Sequence, residues 1–271
     1  MKEYRIIDCH CHIYPEKITQ KAVAGIESFY DHRYRGFDGT IATMLQNGEK
    51  SGVNRYVIFS VATSPRQVSS INRFIAENVR NNEDLFIGLG TLHPDSDNLE
   101  KDFEELISLG LKGVKLHPDI QQVAIDDERA KKIYALCSGR VPVLLHTGDY
   151  RYDYSNPDRM RRVIEEFSDC TFIGAHFGGW SVWDEAAEKL SGYPNFYVDT
   201  SSTFCDISAE KVSGLIDKYT ADKVLFGTDY PLGDCGKEIA LLEKAVDSQV
   251  SLKKILYGNA AKIFGLTDKF I

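Results

Sequence analysis

The chain has 271 residues, 43% of them hydrophobic, with a net charge of -8 and no charge run or low-complexity tract. That length fits one large domain, read here as 1–271, with a sizeable core, and the acidic balance excludes a general nucleic-acid or anionic-membrane binder, both of which need a basic face. No apolar run approaches the ~20 residues that span a bilayer and the one in MKEYRIIDCH is too short for a signal peptide, so a soluble, cytoplasmic protein with a small-molecule partner is expected.

The first strand is expected at YRIID (4–8), leading into CHCH. In an extended chain Asp8, His10 and His12 share one face, while Cys9 and Cys11 share the other and pack outward against helices. Two imidazoles on one face of a strand end can chelate a transition metal, although an H-x-H also arises by chance as a surface or core pair. The remaining cysteines, Cys137, Cys170, Cys205 and Cys235, show no repeated C-x-x-C spacing, so reduced thiols are expected. The long interval from Ile13 to Asn54 reads as an insertion over the mouth of the fold, with a helix at Thr40 to Lys50. Arg33 and Arg35 within it are secondary candidates for substrate contact.

Seven more strands are expected at RYVIF (55–59), LFIGLG (85–90), LKGVKL (111–116), VPVLL (141–145), TFIGA (171–175), NFYVD (195–199) and KVLFG (223–227). Helices are expected between them at 65–79, 97–109, 127–137, 157–167, 181–190, 208–219 and 237–246. Near-continuous apolar strands alternating with helices indicate an α/β protein whose parallel sheet closes into a (β/α)8 TIM barrel, with the insertion after the first strand. An open doubly wound sheet would more often carry G-x-G-x-x-G after an early strand, and none stands there.

Polar residues gather at the strand ends. His10 and His12 end the first strand, His93 follows the third, Lys115 and His117 end the fourth, His146 the fifth, His176 the sixth, Asp199 the seventh and Asp229 the eighth. Of seven histidines only His32 stands elsewhere. A barrel brings all these ends to one mouth. Imidazoles with a carboxylate suit zinc, iron or manganese with positions left open for water and substrate, and His10, His12, His146 and Asp229 are taken as the ligands. Asp229 also serves as proton acceptor, with His176 as proton carrier or orienting donor. His117, beside Lys115, is a substrate-binding candidate or a partner of loop backbone. Arg151 in TGDYRYDYSNP and Trp180 after His176 are read as a substrate wall, the arginine pairing with a carboxylate. Asp8 and Asp199 are read as orienting or internally bonded carboxylates.

These residues resemble the amidohydrolase superfamily, in particular the branch that contains aminocarboxymuconate-semialdehyde decarboxylase. IDCHCHIYP is similar to its first strand, GVKLHP to its fourth, VLLHTG to its fifth, IGAHFGG to its sixth, FYVDTSS to its seventh, LFGTDYP to its eighth and ILYGNAAKIFGL to its carboxyl-terminal helix. The resemblance implies a distorted barrel, a metal held by His10, His12, His146 and Asp229, and His176 as the catalytic histidine. It leaves the reaction open, because fold alone does not fix chemistry. The leading expectation is a metal-dependent hydrolase that acts on a small amide, ester or lactone through metal-activated water. The alternatives are a nonoxidative metal-dependent decarboxylase of an unsaturated or aromatic acid and a noncatalytic metal-binding scaffold. One divalent ion is expected, zinc first and manganese or iron next, with a second if Lys115 is carboxylated. A homo-oligomer is left open.

Overall fold

The computed structural model describes residues 4–31 and 36–266. His32, Arg33 and Arg35 therefore lie outside the described residues, as does the 267–271 stretch. Nine strand segments follow in chain order: β1 (Ile7–His12), β2 (Arg55–Phe59), β3 (Phe86–Gly88), β4 (Gly90–Thr91), β5 (Val114–Leu116), β6 (Val143–Leu145), β7 (Phe172–Gly174), β8 (Phe196–Asp199) and β9 (Val224–Leu225). All ladders are parallel, in the orders β1-β2-β3 and β4 through β9. The third expected strand is broken at Leu89, whose N–H goes back to Ile58 while Gly90 N–H turns to Gly113. One broken strand therefore joins the two arcs.

The ring closes where β9 meets β1. Cys9 N–H donates to Phe226 O at 2.8 Å, Tyr230 N–H to His10 O at 3.1 Å, and His12 N–H to Tyr230 O at 2.8 Å. The chain is thus an α/β TIM barrel. Its lumen is filled by Ile7, Val57, Ile87, Leu144, Ile173 and Leu225 from six strands, and the carboxyl-terminal segment packs Tyr257 and Ala260 onto the same cluster. The alternate residues, such as Ile58, Val143 and Phe172, meet the helices outside. Among the described residues no helix is long and apolar enough to cross a membrane.

Two expectations need correction. The alternation of β1 is interrupted, because its register against β2 shifts between Asp8 and Cys11. Ile7 and Cys9 both sit in the lumen cluster and Cys11 in the outer one, so Cys9 and His10 face inward in succession and Asp8 is turned out. Released from the ladder, His10 N–H bonds to the Asp8 carboxylate at 3.2 Å. The insertion after β1 also holds a helix, Glu16–Phe29, that the sequence reading lacked. Its Thr19 and Val23 press against Gly39, where a Cβ would come within 2.6 Å of Val23 and where φ is +76°.

Candidate functional site

The mouth of the barrel holds a cavity of about 810 Å³ whose floor includes His10, His12, Lys115, His146, His176 and Asp229. His10 is oriented first. Its Nδ1 lies 2.8 Å from an Asp199 carboxylate oxygen, so it carries the proton and leaves Nε2 with the acceptor lone pair. Burial alone would raise the Asp199 carboxyl, but its interaction and hydrogen bond with His10, with His176 beyond, hold it well below the usual carboxylate range. Asp229 is fixed in a similar way: one oxygen accepts the Ser202 hydroxyl at 2.5 Å, leaving Oδ1 at 3.3 Å from His10 Nε2 and 3.5 Å from His12 Nε2.

Those separations test whether a metal fits. Four ligands on bonds of about 2.1 Å around a tetrahedral ion sit roughly 3.4 Å apart, so His10, His12 and Asp229 are spaced as a three-point cage. Burial holds the His12 imidazole well below its ordinary pKa, as a neutral lone-pair donor. Asp229 and His176 adopt φ of +64° and +58°, left-handed values that side chains other than glycine seldom take. The carboxylate of Asp199 accepts the His176 N–H at 3.1 Å and helps to hold the second of these.

His146 joins through a different chain of bonds. The Ser201 carbonyl can only accept, so His176 Nδ1, 2.9 Å away, is protonated and its Nε2 is bare. His146 Nδ1 then donates to that nitrogen at 3.1 Å, which leaves His146 Nε2 as a buried lone pair with no hydrogen-bond partner in the structure. This nitrogen groups with His117 and Asp119 rather than with His10, His12 and Asp229. The His117, Asp119 and His146 trio makes a poor second cage. The His117 and His146 rings are stacked at 4.0 Å and 6°, so no ion lies in both ring planes, and His117 Nδ1 already accepts the Ile120 N–H at 3.3 Å. That bond puts a proton on His117 Nε2, making it a donor on the cavity wall.

Lys115 is buried on the floor, with Nζ 3.4 Å from His10 Nε2 and 5.1 Å from the centre of the Phe59 ring. Burial lowers its pKa to about 8. Burial likewise raises the Asp119 carboxyl to about 7, and Ser155 hydrogen-bonds it.

Arg151 and Trp180 do not line the cavity. Arg151 is bound in bidentate fashion by Asp149 at 2.9 and 2.8 Å, and its remaining arm reaches the Phe29 carbonyl at 2.7 Å and Asp31 at 3.0 Å. A guanidinium so engaged has no edge left for a substrate carboxylate; it fastens the end of the Glu16–Phe29 helix instead. Trp180 is 2% exposed and backs Tyr30, their rings 5.1 Å apart, so it supports the cavity wall from behind. His93 accepts the Asp95 N–H at 3.2 Å within its own turn. The sequence reading missed Asp119, Phe29 and Tyr30. Asp119 had a signal, since it stands two residues beyond a strand-end histidine.

Comparison with known proteins agrees with this architecture. The family model described as Amidohydrolase matches residues 7–266. No curated protein sequence matches the chain. Among solved structures, an uncharacterized TIM-barrel protein from Bordetella bronchiseptica superposes with a TM-score of 0.80 at 20% identity, covering 96% of this chain and 98% of that one. The 5-carboxyvanillate decarboxylase of Sphingomonas paucimobilis gives 0.72 at 17% identity, with 98% and 100% covered. A dihydroxybenzoic acid decarboxylase from Polaromonas sp. JS666, with bound manganese and the inhibitor 2-nitroresorcinol, gives 0.70 at 18% identity, with 97% and 98% covered.

Proposed function

Because the chain belongs to the amidohydrolase family, we propose that it is a metal-dependent nonoxidative decarboxylase of an aromatic or unsaturated carboxylic acid. The observation that carries this reading is the buried Lys115 ammonium beside the three-point cage, beneath walls that include Ile18, Ile26, Phe29, Ile71 and Phe74. Apolar walls suit a flat hydrocarbon body and the floor cation suits its carboxylate. A neutral amide, ester or lactone gains little from that cation, so hydrolysis is the second reading. The decarboxylases among the structural neighbours, one of them with manganese, support the same preference.

His10, His12 and Asp229 would hold the ion, with its remaining positions open to water and substrate, while the bare His146 Nε2 stands apart on the side of His117 and Asp119. When bound, a manganese or zinc ion supplies a fixed positive charge that holds the acid's oxygens and offsets negative charge developing on the reacting carbon. Lys115 draws the carboxylate to the floor, and the His117 Nε2–H donates to a substrate oxygen. The bond from the ring or alkene carbon to the carboxylate breaks, its electron pair stays on that carbon, and carbon dioxide leaves. A proton from solvent must replace it there, and His176, hydrogen-bonded to His146 across 3.1 Å, would relay it.

The test is a panel of hydroxylated benzoates and unsaturated acids with protein loaded with manganese or zinc. Carbon dioxide release with deuterium entering the vacated carbon in heavy water is the expected result. Amide, ester or lactone cleavage by the same preparation, with no gas evolved from any acid, would overturn the reading in favour of hydrolysis.

A further inference from the structure

The Glu16–Phe29 helix lies across the mouth as a beam. One end begins four residues after His12, and at the other the Phe29 ring meets His117 edge-on at 5.4 Å. The row Lys17, Lys21, Gly25 and Phe29, with Ile18 and Ile26 beside it, faces the cavity at the i, i+4 spacing of one helical side. Lys17 and Lys21 are exposed and form no ion pair among the described residues. They are one turn apart at the amino-terminal end of the beam, so their ammonium groups can meet one ligand group together.

Charge around the cavity runs against the rest of the molecule. The chain carries -8, yet among the described residues the cavity is lined by three lysines and a single acid, Asp229, which belongs to the cage. The cations are separated by apolar wall: Lys115 on the floor, Lys17 and Lys21 at the rim. A volume of about 810 Å³ also exceeds the needs of a single-ring acid, since a ligand-sized pocket begins at roughly 300 Å³.

We propose that Lys17 and Lys21 form an anion-recognition pair at the rim, and that the substrate is a dianion whose reacting carboxylate lies on the floor while a second anionic group, across an apolar body, meets this pair. The inference rests on the decarboxylase reading for which carboxylate reacts, and it adds the second anion and the residues that select it. Exposed charges are partly screened, so the selection is worth about tenfold in affinity and falls with salt.

The test uses two probes on metal-loaded protein, biphenyl-4,4′-dicarboxylate and biphenyl-4-carboxylate, with affinities measured calorimetrically at low and high salt. Wild type should prefer the diacid by about tenfold at low salt, and the preference should shrink at high salt. The double variant K17M/K21M should bring the ratio close to one, and K17E/K21E should invert it. Lys50→Met, on a helix that does not line the cavity, serves as the control and should keep the wild-type ratio. Equal binding of the two probes by wild type, or a diacid preference that survives K17M/K21M, overturns the proposal. Because the readout is a ratio of affinities, it stands or falls separately from carbon dioxide release.

Discussion

Asp199 holds His10 from behind, its carboxylate oxygen 2.8 Å from the ring nitrogen that faces away from Asp229. The contact decides which nitrogen of His10 can reach a metal. In Asp199→Asn the retained oxygen still accepts the His176 and Ser201 N–H groups, but the new amide presents a donor to Nδ1 and drives the proton to Nε2. Metal affinity should fall about 10–100-fold with the fold kept. Competition against a chromogenic chelator measures it, and an unchanged affinity would remove Asp199 from the site.

Chelation should abolish turnover, and manganese or zinc should restore it at one ion per chain. Asp229→Asn removes a cage oxygen and should lower activity by more than a hundredfold, roughly the upper end of what loss of a supporting contact costs. Metal analysis with activity separates the cases. Two ions per chain would instead promote Lys115 to a carboxylated bridge, and retained activity in the variant would show that the cage is elsewhere.

Arg151→Met should act on the cavity wall. It strands the fully buried Asp149 carboxylate and frees the end of the Glu16–Phe29 helix, for a destabilisation on the order of 3 kcal/mol. The Michaelis constant should rise more than the turnover number falls, and amides near Phe29 should exchange faster. A lysine at 151 cannot reproduce the bidentate fork and should rescue little.

Glu238 is buried, one oxygen has no partner, and its pKa is pushed up to about 8 by burial and then by Asp8, Asp229 and Asp234. The folded state therefore holds a proton that the unfolded chain releases near pH 4.5. The residue costs nothing below that pH and destabilises the fold increasingly up to about pH 8, by on the order of 1 kcal/mol per pH unit. Glu238→Gln should match wild type in thermal unfolding at pH 4 and exceed it at pH 8. Equal melting temperatures at pH 8 would count against a neutral Glu238.

Much of this was legible in the chain because a parallel barrel gathers the carboxyl ends of its strands: His10, His12, His146, His176 and Asp229 each follow an apolar run and meet at one floor. The bulge in β1 was not legible, because D-C-H-C-H alternates perfectly on paper and only pairing with β2 reveals the extra inward residue. The Glu16–Phe29 helix escaped for another reason. It begins at Pro15 without a side-chain cap and turns two lysines toward a cavity instead of bulk water, which blurs the apolar stripe that marks a helix. Arg151 was misread because its partner Asp149, two residues back in the same loop, was not weighed against a ligand.

The seam between β1 and β9 has one further consequence. It is closed by few backbone bonds, and the outward Asp8 reaches across it to the Thr228 amide and hydroxyl at 3.0 and 2.6 Å, one residue before Asp229. His10 and His12 stand on one lip and Asp229 on the other. An ion gripped by all three would rivet the joint where the two ends of the ring meet, adding its grip to the backbone bonds that already close it.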